Sequence, residues 1–138
     1  RGEGNALGNL GHAYHSLGET RRAIEFYEQA LVIVREIGHR RGEGAALGGL
    51  GVAYAALGET RRAIELYEQD LAIAREIGDR HGEAITSWNL GLAYERAGDL
   101  AHAAACMQVQ VDYLHEIGHP DAAKRAQYVA DLKARAGL

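Results

Sequence analysis

A chain of 138 residues, 47% of them apolar, is long enough to build one domain of ordinary size around a core. Its net charge is −4, and its 15 Lys and Arg are interleaved with 19 Asp and Glu without a basic run, which excludes a nucleic-acid surface built on phosphate contacts. One cysteine, Cys106, leaves no internal disulfide to form and fits a reducing, cytoplasmic setting.

No apolar run reaches the roughly 20 residues of a membrane span, and no secretory signal is visible, so no membrane partner is expected. The single methionine is Met107 and the first residue is Arg1. We therefore expect a piece of a longer protein.

The chain order is governed by a repeat. RGEGNALGNLGHAYHSLGETRRAIEFYEQALVIVREIGHR (1–40) and RGEGAALGGLGVAYAALGETRRAIELYEQDLAIAREIGDR (41–80) differ only at positions 5, 9, 12, 15, 16, 26, 30, 32, 34 and 39 of the unit. The third unit, from His81, keeps Gly82, Glu83, Leu90, Gly91, Ala93, Tyr94, Gly98, Ala103, Glu116, Ile117 and Gly118. A fixed period in this range means stacked supersecondary units, each unable to bury its apolar face alone.

Within the first unit, Leu7, Leu10, Tyr14 and Leu17 recur at helical spacing, and so do Ile24, Tyr27, Leu31 and Val34; this predicts two helices. Gly18, Gly58 and Gly98 should end the first helix of each pair, and Gly38, Gly78 and Gly118 the second, since glycine accepts the left-handed conformation that closes a helix. Asp99 is a predicted N-cap, with Glu19-Thr20 and Glu59-Thr60 as weaker ones. A seventh helix is predicted from about Pro120 to Ala136, with Pro120 in its first turn. Its Ala122, Ala126, Val129 and Leu132 lie on one side and charged residues cover the rest, as a capping helix requires. The expected domain is thus single and all-α: repeats 1–40, 41–80 and 81–118, and a cap at 119–138.

The stretch 9–31 carries Leu10, Gly11, Tyr14, Gly18, Ala23, Tyr27 and Ala30. The second unit repeats them as Leu50, Gly51, Tyr54, Gly58, Ala63 and Tyr67, with Asp70 last; the third has Leu90, Gly91, Tyr94, Gly98 and Ala103, then Met107 and Gln110. This pattern resembles the tetratricopeptide repeat, in a long, 40-residue form similar to the arrays of bacterial signalling proteins. The resemblance implies a right-handed α–α superhelix whose first helices line a concave face. It implies a non-catalytic scaffold that binds a peptide or helical segment of a protein partner there. The alternative is a self-associating or spacer module within a larger signalling protein, with homo-oligomers forming through exposed repeat ends.

The groove-facing positions would be 5, 8, 9, 12, 15 and 16 of each unit. Five of the ten differences between the first two units fall among them. They nominate Asn5, Asn9, His12 and His15 in the first unit, and Trp88, Asn89, Leu92, Glu95 and Arg96 in the third. An Asn amide offers donor and acceptor together, which suits a peptide backbone. Trp88 has two readings: an anchor for an apolar side chain, or packing against the capping helix. The middle row, with Gly48, Gly49 and Ala45, is bare and would let a ligand come close.

One motif argues the other way. HEIGH (115–119) matches H-E-x-x-H, the zinc-protease signature. It is the third copy of REIGH (35–39) and REIGD (75–79), the place where each second helix ends. Zinc needs both imidazoles on one helical face, and His119 precedes a proline that disfavours helical geometry. His12 and His15 have no second pair in the other units. Neither a metal site, a cofactor nor a catalytic centre is expected.

Overall fold

A computed structural model describes residues 2–138. Seven helices and no strand occur among them: α1 (Gly2–Ser16), α2 (Thr20–Glu36), α3 (Arg40–Ala56), α4 (Thr60–Glu76), α5 (Arg80–Arg96), α6 (Leu100–Glu116) and α7 (Ala122–Ala136). None is long and apolar enough to cross a membrane.

The helix ends follow the glycines. Gly18, Gly38, Gly58, Gly78, Gly98 and Gly118 all have φ between +66° and +84°. The residue after each glycine returns its N–H to the last turn, as in Glu19 N to Tyr14 O at 2.9 Å and His39 N to Val34 O at 2.9 Å. These bonds satisfy carbonyls that the helix would otherwise orphan. Asp99 caps α6, accepting from His102 N at 3.1 Å. Asp79 caps α5 in the same way, accepting from Gly82 N at 2.9 Å, a cap not expected from the sequence. Glu19 and Glu59 make no side-chain cap. Pro120 lies ahead of α7 rather than in its first turn, because Asp121 takes the N-cap place.

Helices that follow one another pack as neighbours, α1 on α2 through α6 on α7. The first helices of successive pairs also touch, α1 with α3 and α3 with α5, whereas α2, α4 and α6 do not touch one another. The array therefore curves with α1, α3 and α5 on its inner side.

The core forms three clusters. Ala23, Ile24 and Tyr27 of α2 pack on Leu50 and Ala53 of α3. Ala63, Tyr67 and Leu71 of α4 pack on Leu90 and Ala93 of α5. The third joins Trp88 of α5 and Ala103, Ala104, Met107 and Val111 of α6 to Val129 and Leu132 of α7.

The glycine of each Leu-Gly pair has a packing reason. A Cβ on Gly11 would meet the Tyr27 ring at 3.0 Å, on Gly51 the Tyr67 ring at 2.6 Å, and on Gly91 the Met107 side chain at 2.5 Å. With only Ala, Leu, Ile and Tyr to fill most of the core, helices must approach closely, and these positions allow it.

Salt bridges recur in register. Arg35–Glu43 (3.1 Å) and Arg75–Glu83 (2.9 Å) link a second helix to the next first helix. Arg40–Glu76 (2.7 Å) and Arg80–Glu116 (2.6 Å) tie the start of a first helix to the end of the second helix in its own pair. Each arginine is substantially exposed, so each pair adds little alone and chiefly fixes register.

Candidate functional site

Two recesses on the inner face take in most of the nominated groove residues. The first, about 400 Å³, is lined by Asn5, Gly8, Asn9 and His12 of α1, by Tyr27, Ala30 and Val34 of α2, and by Gly42, Ala45 and Ala46 of α3. The second, about 490 Å³, is lined by Ala55 and Ala56 of α3, Thr60 and Tyr67 of α4, Asn89, Leu92, Ala93, Glu95 and Arg96 of α5, and Tyr128 of α7. The first is polar on the α1 side. The second mixes an alanine and leucine wall with an amide, a phenol and a guanidinium.

His15 and Trp88 belong to neither recess. The ring of His15 lies 3.4 Å from the Thr20 hydroxyl, at the bend between α1 and α2. Trp88 is only 8% exposed. Its ring sits under α7, 5.5 Å from the Tyr128 ring and 4.2 Å from the Arg125 guanidinium. The packing reading of Trp88 thus displaces the anchor reading: its two residue neighbours in the row, Asn89 and Leu92, reach the groove, while the indole turns toward the cap. A buried indole has no face left for a ligand.

Glu95 is committed as well. It accepts from the Tyr128 hydroxyl at 2.6 Å and from Arg135 at 2.9 Å. Burial would raise its pKa, but these two bonds and the Arg135 charge outweigh burial and hold it below the usual carboxylate range. Its charge fastens α7 across the end of the groove. Arg96 donates to the Ala55 carbonyl at 3.3 Å, which uses one of five guanidinium N–H groups and leaves the others for a ligand.

Two groups that the sequence hid come into the groove from the second helices. Tyr67 lines the second recess, and its pKa is pushed up to about 12 by burial, with the Asp70 charge adding and Arg96 opposing. Its counterpart Tyr27 lines the first. Both read as core tyrosines, and the signal that could have exposed them is the glycine row opposite: a ring crossing Gly11 or Gly51 extends beyond it to the inner face. Tyr27 also crosses Gly49, where a Cβ would lie 2.5 Å from the ring.

The middle row is therefore less bare than the sequence suggests. The space at Gly49 is filled by Tyr27, and the space at Gly48 by the Asp70 carboxylate, 2.6 Å from a would-be Cβ. Asp70 accepts from the Thr86 hydroxyl at 2.9 Å. Burial raises its pKa to about 6, with the Thr86 bond opposing and the Asp79 charge adding.

The remaining candidates resolve by geometry. α6 ends at Glu116, Gly118 has φ +66°, and His119 lies beyond the helix. The imidazoles of His115 and His119 do not share a helical face; His119 instead accepts from Asp121 N at 3.1 Å. Cys106 is half-buried, and burial pushes its thiol up, away from thiolate reactivity.

A Tetratricopeptide repeat family model matches residues 2–76. No curated protein gives a significant match. Among solved structures, BtubC (BKLC) from P. vanneervenii superposes with a TM-score of 0.87 at 21% identity, over 97% of this chain and 56% of that one. The apo form of RapI gives 0.87 at 17% identity, over 98% and 38%. A putative kinesin light chain of Podosopora anserina with nearly identical TPR-like repeats gives 0.81 at 22% identity, over 96% and 66%. At these identities the likeness is one of fold, and the chain spans less than two thirds of each of these proteins. The helix pairs, the Leu-Gly and tyrosine register and the matching family model together place the chain in the tetratricopeptide repeat family.

Proposed function

We propose that this chain is a non-catalytic binding scaffold whose concave face takes a segment of a partner protein, with the recess between α3, α5 and α7 as its principal seat. The observation that carries this reading is the composition of that recess. Ala55, Ala56, Leu92 and Ala93 offer an apolar wall, with Leu92 37% exposed. Asn89, Tyr67 and Arg96 stand around it. A recess of this size takes one large apolar side chain, with polar groups nearby to hold the backbone that carries it. Asn5, Asn9 and His12 extend the contact along the first recess.

The test is a peptide selection against the chain from a random library, followed by affinity measurements on variants. Leu92→Asp and Asn89→Ala should each weaken the selected peptides about tenfold or more, with helicity unchanged. A control change at exposed Gln69, on the outer side, should have no effect. Peptides whose affinity is indifferent to both groove changes would contradict the reading.

A further inference from the structure

The internal repeat holds two copies of one recess with different chemistry. Where α1, α2 and α3 meet, the recess is lined by Ala30, Val34 and Ala46. Forty residues on, where α3, α4 and α5 meet, a recess of about 250 Å³ has Asp70, Ala74 and Thr86 in the same places. The three changes act together. The atom nearest a Cβ added to Gly4 is a Val34 methyl at 3.0 Å; for Gly44 it is Asp70 Oδ1 at 2.9 Å. Ala74 is too short to reach where Val34 does, and the carboxylate takes that space. The third unit has Gln110 at this place, so the carboxylate belongs to the middle junction alone.

The fold provides for only half of this carboxylate. Its Oδ2 accepts from the Thr86 hydroxyl at 2.9 Å, and among the described residues Oδ1 has no donor. Among those residues no arginine or lysine pairs with Asp70, and the charge it feels, that of Asp79, has its own sign. Arg41, the cation that lines the recess, is engaged with Asp79 at 3.1 Å. Asp70 is therefore a partly buried charge without a counter-ion, an arrangement that costs stability. The walls around it are aliphatic: Ile73, Ile77 and Ile85, the last 45% exposed.

A long apolar stem ending in one positive charge fits this arrangement. Lysine lays its methylenes along apolar surface and presents a compact ammonium. Arginine fits less well, because its two-pronged fork would find only one free oxygen on Asp70. We propose that this recess seats a lysine side chain of the partner segment, its stem along Ile73, Ile77 and Ile85 and its ammonium donating to Asp70 Oδ1. The inference rests on the reading of the concave face as a binding groove and adds the chemistry of the partner. Thr86 and Leu92 are six residues apart on α5, about 9 Å along the helix axis. In an extended segment that is about three residues. The lysine should stand at that spacing from the apolar residue seated at Leu92.

The test is a selection of short random peptides on the full chain at neutral pH, followed by affinities of the synthetic winners. The winners should carry a lysine at the stated spacing from an apolar residue. Replacing that lysine by norleucine, which keeps the stem and drops the charge, should weaken binding about tenfold. Asp70→Asn keeps the size of the side chain and an acceptor for Thr86. It should weaken the lysine peptide by a similar factor and make the lysine and norleucine peptides bind alike, with helicity unchanged. Winners that bind the parent chain and Asp70→Asn equally, yet lose affinity to Leu92→Asp, would overturn the lysine seat and leave the groove reading standing. So would a lysine preference that persists in Asp70→Asn, because the ammonium would then sit elsewhere. Winners indifferent to Asp70→Asn, Asn89→Ala and Leu92→Asp alike, or no winners at all, would sink both readings together.

Discussion

Two glycines inside the first helices of successive pairs, Gly8 in α1 and Gly49 in α3, behave oppositely in the fold. Gly8 has nothing within 4 Å of a Cβ placed on it, whereas Gly49 would put a Cβ 2.5 Å from the Tyr27 ring. Gly8→Ala should therefore gain up to about 1 kcal/mol from helix propensity alone. Gly49→Ala gains the same propensity but must displace a packed ring, so it should lose about 1–3 kcal/mol net. Denaturant midpoints of the two variants check the difference in sign. Helix propensity assigns both residues the same cost, because propensity is read along the chain and the Tyr27 contact is made across it.

Asp70 gives a pH dependence of unusual sign. Its pKa in the fold is about 6 against an ordinary 3.8, so the folded state holds this proton more tightly than the unfolded chain. Its contribution to stability is then fully present below about pH 4 and is lost as pH rises through about 6. Thr86 is its hydrogen-bond partner, Tyr67 and Asp79 face it, and Arg41 is engaged with Asp79 at 3.1 Å. Asp70→Asn should thus stabilise the protein at pH 7.5 by about 1–2 kcal/mol, after discounting for solvent screening. The lowered carboxylates Glu43 and Glu76 pull the other way at acid pH. The readout is the difference between the two proteins' unfolding free energies across pH 4 to 8, which should shrink toward acid.

At the scale of elements, the helices and their breaks were legible because each is written three times. A glycine that recurs at 18, 58 and 98 or at 38, 78 and 118 is a helix end whatever its neighbours, and all six have positive φ. Elements without a second copy were read less well. Pro120 suggested the first turn of α7, but the helix begins at Ala122, with Asp121 in the N-cap place and no side-chain cap bond. Trp88 stands in a groove row by register, yet α7 covers it, because the cap places Val129 and Leu132 where no repeat has a counterpart. Register fixes which side of a helix a residue is on. It does not report what a unique element lays over that side.

That arrangement makes α7 part of the core. Leu132 is 1% exposed and packs in the cluster with Trp88 and Met107. Leu132→Ala should cost about 2–4 kcal/mol. Because Trp88 is the only tryptophan, its emission should shift to the red when the cap loosens. A variant that loses stability with unchanged emission would place the damage elsewhere.

Across the whole molecule, fold and site were legible to different depths. Asn5, Asn9, His12, Asn89, Leu92, Glu95 and Arg96 all line the two recesses, since a 40-residue period places equivalent residues on one face. The partition of that face was not legible. Tyr27 and Asp70 rise from the second helices into the space of the middle glycines, so what looked like one open groove is broken into separate recesses by filled glycine positions. Glu95 likewise lines the recess but spends its charge on Tyr128 and Arg135, a tie that depends on α7 and on no pattern within a unit.

The central claim is that a partner segment binds on the inner face of α1, α3 and α5. Amide hydrogen exchange of the full chain, with and without a peptide selected against it, tests this most directly. The account predicts slowed exchange centred on α5 around Asn89 to Arg96 and on the end of α3 at Ala55 and Ala56, with the outer faces of α2, α4 and α6 unchanged. Slowed exchange on those outer faces, with α3 and α5 unaffected, would contradict it.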